Sequence, residues 1–351
     1  MKGKRCIVFL AVITFTFTIA FIGMAGGEKE AVTEEKPAVE KKEEFVIGHS
    51  MASLRAEWWQ IMHQSILELA EQHSEVKLIW TDSEGKNEKQ LADVNDLLLQ
   101  GIDLLLLFPN ESAPLEAAID AANRKNVPVI VWDKPMREGC GYLAFVAGDH
   151  YGIGQSDAKY LVKLLTEKYG EPRGKVIEIS GEEGTMTVTQ RRGGFDDYLA
   201  KYPNIEIVAQ DTAAWYQDKA YYLTKNFLLA HPDVDAFYYH NDNMALGGVK
   251  ALKEEGLIGK VWIFGVDGDY RFLKAIKDGE GTATSTYSYV LGKMALELGI
   301  KYLKGEKIPY HVIMPTYLVN KDNVDQFYDP DFPAYVEPEN PAEPVVIWEK
   351  Q

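Results

Sequence analysis

A short apolar strand, Asp235–Tyr239, runs into His-Asn-Asp-Asn and then into a helical stretch of roughly 13 residues. A second apolar strand, Val261–Val266, follows and closes on Asp267-Gly268. Strand, helix and strand at this spacing make a parallel βαβ unit, because parallel neighbours need a crossover and a helix is the usual one. This constrains the chain more than any other feature. In open α/β sheets, ligands lie in the crevice at the carboxyl ends of the strands. Asn241 and Asp267 stand at two such ends. An amide and a carboxylate converging there suit a small, neutral ligand rich in hydroxyl groups.

The same alternation fills the chain from Phe45 onward. Strand Phe45–Gly48 leads to helix Glu57–His73, strand Val76–Trp80 and helix Asn87–Gln100, which Gly101 ends as a C′ glycine would. Ile102–Phe108 is almost wholly apolar, the pattern of a strand buried on both faces. Helix Ser112–Asn126 and strand Pro128–Trp132 complete a first set, ending in Asp133. A second set begins with helix Tyr151–Tyr169 and strand Lys175–Ser180. It continues with helix Thr185–Tyr202, strand Ile205–Asp211 and helix Gln217–Ala230, which feeds the opening segment. Helix Tyr270–Lys277, strand Thr282–Thr286, helix Val290–Leu303 and a last strand over Val312–Val319 follow. A short helix over Asp322–Phe327 is expected, with Asp322 as its cap. From Asp329 the chain is rich in Pro and Glu and reads as an extended surface arm. Two sets of alternating units predict an α/β protein of two doubly wound parallel-sheet domains.

Composition narrows the function. The net charge is −16, and the first 25 residues hold three basic and no acidic side chains, so the remainder is more negative still. That argues against nucleic acid, whose binders present a basic face. Residues 1–25 have the form of an export signal: Lys2, Lys4 and Arg5, then apolar Cys6–Phe21, then small residues at Gly23-Met24-Ala25. Cleavage there is the favoured reading, although an apolar run approaching ~20 residues could also anchor the chain. Residues 26–44 are mostly Glu, Lys, Ala and Val and read as a disordered tether. Cys140 is the one cysteine beyond the signal, so no intrachain disulfide is expected.

Several stretches give the chain a likeness to a known family. They are IGHSMASLRAEWWQ, QLADVNDLLLQGIDLLLLFPNES, NVPVIVWDK, GTMTVTQRRGGF, LLAHPDVDAFYYHNDNMALGGVKAL, FGVDG and YLKGEKIP. In this order the chain resembles the ribose- and xylose-type periplasmic sugar-binding proteins of ABC transporters, from Phe45 to about Phe327. The resemblance implies a type I periplasmic binding protein fold, with two lobes joined by a hinge of three crossings and closing on a ligand between them. Carried over, one lobe is 45–148 with 288–316 and the other is 149–287 with 317–328, leaving 329–351 as the arm. It also implies a monomer in the periplasm or another extracytoplasmic space, a permease as partner, and no cofactor or catalysis.

Carried over residue by residue, the resemblance supplies a ligand set. A pyranose offers hydroxyls at its edge, which charged partners grip best, and C–H faces, which aromatic rings cover. Trp58 and Trp59 match the family's aromatic pair, and since adjacent helix residues diverge, at least one should face the cleft. Arg55, in Leu-Arg-x-Glu, resembles the xylose-binding members. Asp133-Lys134 stands where the family has Asp-Arg, and Lys donates as a point charge where Arg offers a planar fork. Arg191 matches the family's Arg, whereas Arg192 reads as a solvated surface charge. Trp215 aligns with a second stacking aromatic and Tyr287 with a polar ligand position, hinge packing being the alternative for Tyr287. Asn241 and Asp267 complete the set, with helix capping as a competing or added role. His240 reads as structural, and Cys140 as a small loop or core residue.

The sequence holds no GxGxxG, P-loop, GxSxG or HExxH motif, and its seven histidines lack metal-ligand spacing. The favoured ligand is xylose or a related aldopyranose. A cyclic polyol such as inositol is the alternative, and a receptor-adaptor role is compatible with either. A sugar-responsive regulator would need a DNA-binding segment before Phe45, where an acidic tether stands instead. A sugar-active enzyme would need an acid–base pair that the sequence does not supply.

Overall fold

The computed structural model describes residues 44–137 and 139–348. The expected signal and nearly all of the expected tether lie outside them. Strands and helices alternate as follows: β1 Phe45–Met51, α1 Glu57–Gln72, β2 Val76–Asp82, α2 Asn87–Leu99, β3 Leu104–Leu107, α3 Ser112–Arg124, β4 Val129–Trp132 and β5 Ala144–Gly148. The second series is α4 His150–Tyr169, β6 Gly174–Ser180, α5 Met186–Leu199, β7 Ile205–Thr212, α6 Gln217–Ala230, β8 Ala236–Tyr239, α7 Asp242–Glu254, β9 Trp262–Asp267, α8 Tyr270–Lys277 and β10 Ala283–Thr286. The chain closes with α9 Leu291–Leu303, β11 His311–Met314, β12 Leu318–Asn320 and β13 Val345–Ile347.

Two sheets result, ordered β13-β11-β5-β4-β3-β1-β2 and β12-β10-β9-β8-β6-β7. All pairings are parallel except β11 with β13 and β10 with β12, so each sheet ends on one antiparallel edge strand. The inner strands explain why the sheets are covered on both faces: every residue of β3, β4 and β8 is buried. Within each sheet the first five strands repeat one order, 2-1-3-4-5. The order therefore reverses between β1 and β3 and again between β6 and β8. Those two reversal points are where a doubly wound sheet presents its binding crevice.

The chain passes between the sheets at Gly148–His150, between β10 and α9, and between β11 and β12. These are the three crossings expected of the hinge. Two local expectations fail there. The predicted strand Val312–Val319 is two strands in different sheets, divided at Pro315-Thr316-Tyr317. Strand β5, which carries the first crossing, was not anticipated. The expected helix over Asp322–Phe327 is a single 3-10 turn, Val324–Gln326, with no side-chain cap. The C-terminal arm also departs from expectation, since Ala334 and Tyr335 are fully buried and β13 extends the first sheet.

Helices α4 and α5 pack with backbone against backbone. A Cβ on Gly154 would lie 2.1 Å from the Arg191 carbonyl oxygen, and one on Gly194 would lie 2.0 Å from that of Tyr151. Only glycine allows this approach, and it seats the turn of α5 that carries Arg191.

Candidate functional site

The carboxyl ends of β4, β9 and β10, together with α5, bring an inner cluster together: Asp133, Lys134, Arg191, Asp267 and Tyr287. Asp133 follows β4 in a left-handed conformation (φ 68°) and is buried. The Tyr287 hydroxyl donates to Asp133 Oδ1 at 2.8 Å, linking the second crossing to the first sheet. Burial raises the Asp133 pKa, against the pull of Lys134, the Tyr287 hydrogen bond and Arg191. The Tyr287 ring stacks on His150 at 4.6 Å and 11°, and the Arg191 guanidinium lies 5.4 Å from its centre.

Arg191 is 3% exposed. Its Nη1 donates to the His240 carbonyl, and its Nη2 lies 3.6 Å from Asp267 Oδ1. Arg191 Nε, the indole N–H of Trp58 and His150 Nδ1 are buried with no hydrogen-bond partner among the described residues. Native interiors rarely leave such groups unpaired. Asp267 ends β9 at φ 128°, a strained conformation for a residue other than glycine. Burial pushes its carboxyl well above the usual range; Arg191 opposes the shift, and Asp242, Asp269 and Asp133 add to it.

Three tryptophans stand past strand ends, Trp58 and Trp59 after β1 and Trp215 after β7. Trp59 meets Phe108 edge-on at 5.6 Å, and the Lys134 ammonium sits 5.7 Å from the Trp59 ring. Lys134 is fixed by donating to the Asn110 carbonyl at 2.6 Å, and burial lowers its pKa. Trp58 meets Tyr289 edge-on and touches the cores of both halves. Trp215, at φ 72°, packs its ring so closely on Gly181 that a Cβ there would come within 2.1 Å. Asn243 Nδ2 donates to the Trp215 carbonyl at 2.9 Å. Asn241 caps α7 by accepting from Met244 N–H at 2.9 Å, so the expected capping role is present. Arg55 is exposed and is not drawn into the inner cluster.

Arg192 is not the solvated charge expected. It bonds buried Glu178 at 2.9 Å and also reaches Glu183. Glu178 Oε1 lies 2.8 Å from His240 Nε2 without hydrogen-bond geometry, and both side chains are fully buried. Burial lowers the His240 pKa, and Glu178 opposes that shift. Sequence reasoning missed Glu178, His150 and Asp242, as well as Asn110. Asn110 carried the same signal as Asn241, a polar residue just past an apolar strand. Asp242 accepts from Gly268 N–H and Asp269 N–H, each at 2.8 Å, and from the Thr284 hydroxyl at 2.8 Å. It thereby holds the loop that presents Asp267.

Chemically, the cluster sets carboxyl groups and a guanidinium beside the Tyr287 and Trp59 rings, at the strand ends of two hinged sheets. This defines a class: a two-lobed α/β protein built to enclose a small polar solute. Residues 47–307 match the family described as periplasmic binding protein domain. A ribose import binding protein of Bacillus subtilis is 30% identical over 79% of this chain and 88% of its own length. A xylitol-binding protein of Mycolicibacterium smegmatis is 29% identical over 71% of this chain and 70% of its own. Among solved structures, an ABC transporter solute-binding protein from Mycobacterium smegmatis with bound glycerol superposes with a TM-score of 0.76. That match has 30% identity and covers 84% of this chain and all of the other. The chain belongs to the periplasmic binding protein family and has its type I fold.

Proposed function

We propose that this protein is an exported, non-enzymatic solute-binding protein that captures a monosaccharide between its lobes and delivers it to an ABC transporter permease. The observation that carries the reading is the convergence of Asp133, Arg191, Asp267 and Tyr287 at the facing strand ends, with Arg191 and Asp267 within 3.6 Å of each other. Paired acceptors and donors of this kind read vicinal hydroxyls. Trp58, Trp59 and Trp215 supply the apolar area for the sugar faces. Xylose or a related aldopyranose is the favoured ligand, with Arg55 and Lys134 reaching it from the rim and floor. The lobes are 45–148 with 288–316 and 149–287 with 317–328, and the protein acts as a monomer after export by residues 1–25. The relatives' ribose and xylitol specificities support a five-carbon ligand, and the xylitol-binding relative favours a polyol as the second reading.

The test is thermal unfolding of the purified protein against a panel of aldoses, polyols and nucleosides. A ligand that binds only the native state stabilises it by about 2.7 kcal/mol at a hundredfold excess over Kd. A raised melting temperature with one sugar, recovered unchanged, is the expected result. If no sugar or polyol shifts the transition, and mass spectrometry of the denatured sample finds none already bound, the reading is wrong.

A further inference from the structure

Beyond the three crossings, the chain passes between the sheets a fourth time. After β12 it folds a turn in the second half, buries Phe327, and then runs along the hinge to join the first sheet as β13. Its path is anchored at both ends. In the second half, Val336 N–H donates to the Phe327 carbonyl at 2.8 Å. Tyr335 is fully buried against the Asp267–Asp269 loop, where a Cβ on Gly268 would come 2.7 Å from its ring. Its ring and that of Phe332 each meet Tyr289 of the second crossing at 5.4 Å. In the first half, β13 pairs antiparallel with β11 over His311–Ile313.

The span between anchors is short. Ala342 N–H donates to the hydroxyl of Tyr317, just past the third crossing, at 2.9 Å. Three residues later, Val345 pairs with Ile313 on the other side of that crossing. Three residues reach at most about 10–11 Å when fully extended. Pro341 and Pro344 stiffen this stretch further by fixing φ. Between its anchors the segment bridges a groove of about 350 Å³ bordered by Tyr289, Met294, Met314 and Glu337. It is a short tie across the hinge.

We propose that residues 329–348 are a strap that limits how far the two lobes open. A rotation that parts the lobes at the third crossing by more than these three residues can span must break one of the anchors. The strap therefore narrows the range of open conformations and keeps the Asp267 loop seated through Tyr335. This rests on the two lobes moving about the crossings, as in the reading above, but not on the identity of the ligand.

The test measures the interlobe distance directly. Spin labels are placed on the exposed first turns of α2 and α6 through Glu88→Cys and Asp218→Cys, with Cys6 and Cys140 replaced by Ser. Distance distributions are recorded without added ligand for the parent and for two variants. One variant ends at Pro344 and so lacks β13. The other is Tyr317→Phe, which removes the second anchor while keeping the ring. Circular dichroism checks that each is folded. Longer and broader distances in both variants are expected. Distributions that superimpose on the parent's in both would overturn the proposal and leave β13 as a cover for the sheet edge. Because no sugar is added, a failure of the sugar reading leaves this result unaffected.

Discussion

At the scale of single residues, the site depends on buried carboxylates that differ in role. Asp267 faces Arg191 and, in the proposed reading, accepts from ligand hydroxyls. Hydrogen bonds to charged groups contribute about 1.5–3 kcal/mol each. Asp267→Ala should therefore weaken sugar binding by roughly ten- to a hundredfold in calorimetric titration. Unchanged affinity would remove Asp267 from the ligand set. Asp242 lies behind it and has a different signature, because burial and its neighbour Asp269 raise its pKa from 3.8 to about 7. A carboxyl whose folded pKa is raised contributes stability that is present below the unfolded value and lost as pH rises through the folded one. The melting temperature of the parent minus that of Asp242→Asn should accordingly shrink between pH 4 and pH 7. A gap that stays constant would mean that the group does not titrate there. Asn241 and Asp267 were legible in the sequence because each follows an apolar strand directly. Asp242, Glu178 and the Tyr287–Asp133 bond were not. Their roles come from partners distant in sequence, 154 residues away for Tyr287, which no local pattern encodes.

At the scale of elements, helix ends and strand ends set the geometry. Asn241 caps α7, and the proposed reading also gives it a ligand contact, so a variant that keeps one role and drops the other can separate them. Ser caps a helix about as well as Asn. Asn241→Ser should leave chemical-denaturation stability within a few tenths of a kcal/mol while sugar affinity falls about tenfold, since the amide's reach and donors are gone. If affinity is retained, Asn241 is a cap alone. The helices and most strands were readable because their apolar periods are long and their ends are marked. β5 escaped because Ala-Phe-Val-Ala-Gly is short, carries little β-branched surface and follows a Gly-Cys-Gly turn. The run Val312–Val319 read as one strand because apolar residues flank Pro315 on both sides. Periodicity reports burial, and it does not say in which sheet a strand is buried.

At the scale of the whole molecule, the alternation of strands and helices predicted two sheets but not how the halves hold each other. Tyr335 reads as part of an acidic, Pro-rich tail until Gly268, Tyr289 and Tyr317 are seen around it. One further contact bears directly on closure. Glu57, in the first turn of α1, pairs with Arg271 in the first turn of α8, with Oε2 to Nη2 at 2.9 Å. The two helices follow β1 and β9, so the pair spans the cleft from one half to the other. Arg271 is held ready by Asp269, which accepts from its Nε at 2.9 Å and from its backbone N–H at 2.8 Å. An exposed pair of this kind contributes only about 0–1 kcal/mol. Lobe opening would break it, so its whole contribution favours the closed state and appears in the ligand's affinity. A neutral sugar has no salt dependence of its own to confuse the reading. Affinity should fall by up to about fivefold between low and molar salt, as screening weakens the pair. In Glu57→Gln it should start lower and stay flat. Calorimetric titration of both proteins with the same sugar decides the matter. A salt dependence that persists in the variant would assign it to other charges, and its absence from the parent would mean that the pair does not favour closure.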